Sequence, residues 1–166
     1  DDAQWLDLTG DGQLLATSGW TGPVDVWDAT KGEHRFAVLA DSDIEGLEWS
    51  PDSEQLAVVR NADRGDRGEV VVFDRSGAEV ARLPEEPGHW VQSASFSPDS
   101  RLLATTIVGE RVDPTDASVR IWDWERGEVV STIDTFADGV VFDPTGTRIA
   151  TFHTVQGTAN VWDART

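Results

Sequence analysis

The sequence predicts an all-β chain of four repeated units, each a four-stranded antiparallel sheet, and three recurring segments carry that expectation. The first is a turn signal, present as Leu8-Thr9-Gly10-Asp11-Gly12, Trp49-Ser50-Pro51-Asp52-Ser53, Phe96-Ser97-Pro98-Asp99-Ser100 and Phe142-Asp143-Pro144-Thr145-Gly146. A short apolar run follows each turn: Leu14-Leu15-Ala16-Thr17, Leu56-Ala57-Val58-Val59, Leu102-Leu103-Ala104-Thr105 and Ile149-Ala150-Thr151-Phe152. The third is a run that ends in an aromatic residue and Asp, as Val24-Asp25-Val26-Trp27-Asp28, Val70-Val71-Val72-Phe73-Asp74, Val119-Arg120-Ile121-Trp122-Asp123 and Ala159-Asn160-Val161-Trp162-Asp163.

The aromatics at 27, 73, 122 and 162 stand 46, 49 and 40 residues apart, room for four short strands and their turns. Each run is too short for an ordinary helix and is rich in Val, Ile and aromatics. From inside outward, strand a is expected at Gln4 to Leu8, Ile44 to Trp49, Val91 to Phe96 and Gly139 to Phe142. Strand b is expected at Leu14 to Ser18, Leu56 to Arg60, Leu102 to Val108 and Arg148 to His153, and strand c is the aromatic-ending run. Strand d is visible three times, at His34 to Leu39, Glu79 to Leu83 and Val129 to Asp134, so the last unit is expected to lack its outer strand. In the Ser-Pro-Asp turns, Pro fixes one dihedral and stays out of the ladder, and the residues after it accept the tight corner. Such sheets must stack face on face to bury both sides.

Composition narrows the function. Hydrophobic residues make up 39 % of the 166, enough for a folded core. Cys is absent, which removes disulfides, thiolate nucleophiles and zinc–thiolate sites. Acidic residues outnumber basic ones by 31 to 13, a net charge of -18 that repels phosphate backbones and favours basic partners or plain solubility. No stretch reaches the roughly 18 apolar residues of a membrane span. The opening residues carry neither an initiating Met nor a basic-then-apolar leader, which reads as a processed or excised piece. Neither nucleic acid, membrane nor small-molecule substrate is therefore the expected partner.

The repeats resemble the WD40 β-propeller family, whose units end in Trp-Asp, run about 40 to 45 residues and carry a Gly-His pair near the start. Trp27-Asp28, Trp122-Asp123 and Trp162-Asp163 match, Phe73-Asp74 is a degenerate copy, and Gly88-His89 is the intact Gly-His pair. The resemblance covers the whole chain, is of a bacterial type of sequence, and implies one partial propeller domain with repeats at about 1–42, 43–88, 89–137 and 138–166. It also implies a structural hydrogen-bonded tetrad in the third repeat, formed by His89, Thr105, Asp116 and Trp122. The other repeats hold Thr21, Arg67 and Gln156 at the Asp position and lack the His, so apolar packing is expected to hold them.

In that family the b–c turns and d–a connections share one side of the disc, commonly the partner-binding side. The candidate rim is Trp20, Asp43, Arg64, Arg67, Trp90 and Arg111, since Trp and Arg supply most interface anchors. Trp5 and Trp49 are expected between blades, and Trp124 on the opposite side. The long b–c connections at 61–68 and 109–117 are read as solvated turns; Asp63 and Asp66 lack the twelve-residue calcium loop. His34 and His153 have no clustered ligands, so neither metal nor cofactor is expected.

The function expected is a non-catalytic interaction scaffold or regulatory module, of the kind the family fuses to kinases or signalling ATPases. Four blades are too few to close a disc of this family. Three arrangements remain open: half of a split propeller, two copies in an eight-bladed ring, or a piece of a longer chain. The alternatives in function are a structural half with no specific natural ligand and a propeller enzyme using the channel acids Asp7, Glu45 and Glu48.

Overall fold

The computed structural model describes residues 3–40, 43–61, 67–109 and 116–164. Its strands fall into four separate antiparallel sheets, and each sheet follows chain order from one edge to the other. The first holds β1 (Trp5–Leu8), β2 (Leu14–Ser18), β3 (Val24–Asp28) and β4 (Glu33–Val38). The second holds β5 (Asp43–Trp49), β6 (Gln55–Asn61), β7 (Gly68–Asp74) and β8 (Glu79–Pro84). The third holds β9 (His89–Phe96), β10 (Leu102–Gly109), β11 (Ala117–Asp123) and β12 (Glu128–Ile133). The fourth has three strands, β13 (Gly139–Phe142), β14 (Arg148–His153) and β15 (Thr158–Asp163).

The inner strands β1, β5, β9 and β13 lie side by side in that order, so the sheets are stacked as blades. Three cores fill the seams. Leu14, Ala16, Val24 and Val26 of the first blade meet Leu56, Val58, Val71 and Phe73 of the second. Ala57, Val59, Val70 and Val72 on the other face of the second blade meet Val91, Leu103 and Trp122 of the third. Ala104, Val119 and Ile121 meet Val140, Phe142 and Ile149 of the fourth.

This stacking explains a difference in sequence pattern. The second and third blades are covered on both sides, so β7 and β10 are buried at nearly every residue. The outermost blades alternate instead. On β1, Leu6 and Leu8 turn away from the neighbouring blade and are 68 % and 49 % exposed. Val141, Phe152 and Val161 of the fourth blade are likewise exposed.

Polar ties reinforce the seams. The a–b turns repeat one geometry: Ser50 Oγ donates to Asp52, Ser97 Oγ to Asp99 and Thr9 Oγ1 to Asp11, at 2.6 to 2.7 Å. The fourth turn residue has positive φ every time, in Gly12, Ser53, Ser100 and Gly146. Serine is strained there, yet both serines link blades. Ser53 Oγ accepts from the Asp11 amide and Ser100 Oγ from the Asp52 amide. On the inner strands, the Asp7 carboxylate accepts from the Trp49 amide at 2.6 Å and Glu48 from the Phe96 amide at 3.1 Å.

Candidate functional site

The first b–c turn and the starts of the inner strands meet at one end of the stack. The first b–c turn runs from Gly19 to Pro23. It is pinned to the second blade twice: Thr21 bridges Asp43, and the Ile44 amide donates to the Trp20 carbonyl at 2.9 Å. The indole of Trp20 stands edge-on to that of Trp5, with ring centres 5.7 Å apart. Trp5 is itself fixed, because Nε1 donates to the Ile44 carbonyl at 3.1 Å. Trp20 is nevertheless 57 % exposed.

The opposite wall is Trp90, on β9 and paired with Val108. The next residue, Val91, is clamped by the Asn61 carboxamide, whose Nδ2 donates to the Val91 carbonyl and whose Oδ1 accepts from the Val91 amide, both at 3.1 Å. The clamp requires Gly68, since a Cβ there would come within 2.5 Å of both Asn61 Oδ1 and the Val91 nitrogen. Trp5, Trp20 and Trp90 surround a concavity of about 460 Å³ whose remaining lining is Asp43, Glu45, Asn61, Gln92 and Asp138.

Glu45 and Gln92 reach the concavity through backbone irregularities. The register of β5 on β6 slips between Ile44 and Gly46, and that of β9 on β10 slips between Thr106 and Ile107, which leaves Glu45 and Gln92 without cross-strand partners. A bulge of this kind redirects a side chain. Burial raises the Glu45 carboxyl above its ordinary range; a hydrogen bond with Asn61 opposes the shift and the neighbouring Asp43 charge adds to it. Burial also opposes ionisation of Asp138, but hydrogen bonds from Thr154 and His153 outweigh it and hold that carboxyl low.

Of the six rim residues expected, Trp20, Asp43 and Trp90 share this concavity. Arg67 is exposed beside β7 and does not line it. Arg64 and Arg111, with the loop acids Asp63 and Asp66, lie outside the described residues. Trp49 is buried in the seam between the first two blades. Trp124 is buried at the other end of the stack, donating to the Ser100 carbonyl and standing edge-on to Phe96. Trp5, Glu45, Asn61, Gln92 and Asp138 were not among the rim residues expected.

The four residues of the third-blade tetrad form two pairs. His89 Nε2 lies 3.0 Å from Asp116 Oδ1, and Trp122 Nε1 donates to Thr105 Oγ1 at 3.0 Å. His89 Nδ1 is buried without a hydrogen-bond partner among the described residues, so no bond joins the pairs. The indole–threonine bond also occurs in the first and fourth blades, as Trp27 to Thr17 and Trp162 to Thr151, both 3.0 Å. Those blades therefore do not rely on apolar packing alone. His34 pairs with Asp25 at 2.8 Å, and His153 packs on Phe136. Among the described residues, no group of three or more His, Cys, Asp or Glu could hold a metal ion.

Blades stacked with their inner strands side by side define a β-propeller of WD-repeat type. The model of the family described as eukaryotic translation initiation factor eIF2A matches residues 26–161, and the chain belongs to that family. Among curated proteins, it is 27 % identical over 135 residues to eukaryotic translation initiation factor 3 subunit I of Phaeosphaeria nodorum, covering 78 % of this chain and 40 % of that protein. It is 28 % identical over 157 residues to protein tipD of Dictyostelium discoideum, covering 92 % of this chain and 23 % of that one. The chain thus spans less than half the length of either. The β-propeller domain of Cps50 (Swd1) from Myceliophteria thermophila superposes with a TM-score of 0.76 at 15 % identity, over 97 % of this chain and 53 % of that one.

Proposed function

We propose that the chain is a non-catalytic protein-interaction module that receives a protein partner at the tryptophan-lined mouth. One observation carries this reading: Trp20 is held to the second blade through its own carbonyl and the adjoining Thr21 bridge, yet keeps more than half its surface exposed. A rigid exposed indole beside a concavity is the residue type and setting of an interface anchor. A relative named as a subunit of an initiation factor agrees with a role inside an assembly. Two of the three acids that a hydrolytic reading would use are engaged otherwise. Asp7 and Glu48 accept backbone amides of adjoining blades, which gives them a structural task.

The repeats at 1–42, 43–88, 89–137 and 138–166 act in this reading as one partial propeller domain. Its exposed outer faces, with Leu6 and Leu8 at one end and Phe152 and Val161 at the other, are covered by further blades. Those blades belong to a second copy, completing an eight-bladed ring, to a protein partner, or to a longer chain of which this sequence is a piece. A chain that matches 53 % of a propeller domain fits each of these.

The mouth is tested by quantitative affinity capture with wild type, Trp20→Ala and Val130→Ala, the last an exposed apolar residue on an outer strand. Loss of the captured partner with Trp20→Ala alone is expected. Equal capture by all three would remove the mouth from the interface.

A further inference from the structure

The mouth combines two features that point to a particular ligand chemistry. Its walls are three indoles, whose faces attract cations. Its floor carries the carboxylates of Asp43, Glu45 and Asp138, and no Lys or Arg is among its described lining residues. The volume of about 460 Å³ falls within the roughly 300–1,000 Å³ usual for binding sites.

The acids of four turns are consumed by structure. Asp11, Asp74, Asp99 and Asp143 cap turns and are held below the ordinary carboxylate range, first by the hydroxyls of Thr9, Ser76 and Ser97 and, for Asp143, by the Arg148 amide. Asp43 differs. Its carboxylate has no hydrogen bond or ion pair among the described residues, and it faces Glu45, a second acid that its charge discourages from ionising. Two carboxylates crowded beside the indoles, in a chain of net charge -18, form a site that among the described residues lacks only a positive group.

We propose that the mouth binds a cationic side chain, arginine in preference to lysine, presented by a basic segment of a partner protein. Arginine is preferred because its planar guanidinium both stacks on indole and forks onto carboxylates. This rests on the reading of the chain as an interaction module.

The test uses the full chain and short labelled Gly/Ser peptides carrying arginine, lysine or citrulline, with binding followed by fluorescence anisotropy at low and physiological salt. The arginine peptide should bind best and the citrulline peptide at least about tenfold more weakly. Asp43→Asn and Glu45→Gln should each weaken the arginine peptide by roughly tenfold. Glu33→Gln with Glu128→Gln, which remove exposed acids on outer strands, should change it by less than about twofold. Trp20→Phe should retain most of the binding and Trp20→Leu lose it, because leucine keeps apolar bulk without a π face. Equal binding of citrulline, or equal losses from the outer-strand acids, would overturn the proposal. If no peptide binds while Trp20→Ala still loses the captured partner, the cation site falls and the interaction module stands.

Discussion

The second and third blades solve the same packing problem with different chemistry. In the third, the Thr105 hydroxyl is fully buried and accepts the indole N–H of Trp122. In the second, the same two positions are Val58 and Phe73, both buried and both without a polar atom. The two substitutions go together, as they must. A buried threonine without the indole donor loses its partner, and an indole without an acceptor does the same. The second blade places its polar groups elsewhere: Glu69, buried near the outer edge, pairs with both Arg60 and Arg82. One repeat template thus tolerates a neutral hydrogen bond near the middle of a blade or an ion cluster towards its edge.

The seam between these blades contains the most sensitive group. Glu85, on the connection from the second blade to the third, is almost fully buried, and its charge is met by Arg120 on β11. Burial raises the Glu85 carboxyl, and the Arg120 and His89 charges pull against that shift. Arg120→Ala should destabilise the fold by about 3–5 kcal/mol at neutral pH, since it leaves a buried charge unpaired. The loss should shrink in acid, where Glu85 is protonated. Chemical denaturation at about pH 4 and about pH 7.5 checks this. A pH-independent loss would mean that Arg120 acts through packing of its stem.

Glu48 is the second tie between the blades, and its sign is opposite to that of the turn acids. Burial, outweighing the bond from the Phe96 amide and assisted by the Asp7 charge, pushes it from 4.5 up to about 7. A carboxyl whose folded value lies above its unfolded one contributes stability that is complete below 4.5 and lost as pH rises through about 7. The swing is at most about 3 kcal/mol. Glu48→Gln should therefore flatten the pH dependence of stability and raise the melting temperature more at about pH 8 than at about pH 5. An unchanged pH profile would show that Glu48 is not the group responsible.

Much of this arrangement is legible in the sequence, and the boundary between what is and what is not has a physical basis. The Val- and Leu-rich runs mark the strands because each strand's identity is local. The turn signatures do the same, and Ser53 and Ser100 occupy the corner that Gly12 and Gly146 occupy in the other repeats. Trp20, Asp43 and Trp90 could be found as parts of the mouth because repeat register places them at one end of the blades. Glu45 and Gln92 could not, since alternation assigns a side to every strand residue and a bulge cancels the assignment. Trp5 in a strand reads as core, and only the closeness of Trp20 from the b–c turn reveals its second role. Asn61 is a local strand end whose partner, Val91, lies 30 residues away.

The smallest expected effect gives the most direct test of how the two blades differ. Trp122→Phe in the third blade removes the donor from the Thr105 hydroxyl, which is fully buried. The cost should be about 2 kcal/mol, combining an unsatisfied hydroxyl with the lost indole volume. Thr105→Val with Trp122→Phe reproduces the second blade's pair and should recover about half of that loss, because the stranded hydroxyl is gone and only the volume deficit remains. Stabilities of the two singles and the double form a thermodynamic cycle, and a coupling near 1 kcal/mol is expected between the positions. Zero coupling would mean that the indole–threonine bond contributes nothing beyond packing. The joint appearance of Val58 and Phe73 in the second blade would then have no energetic cause at this pair.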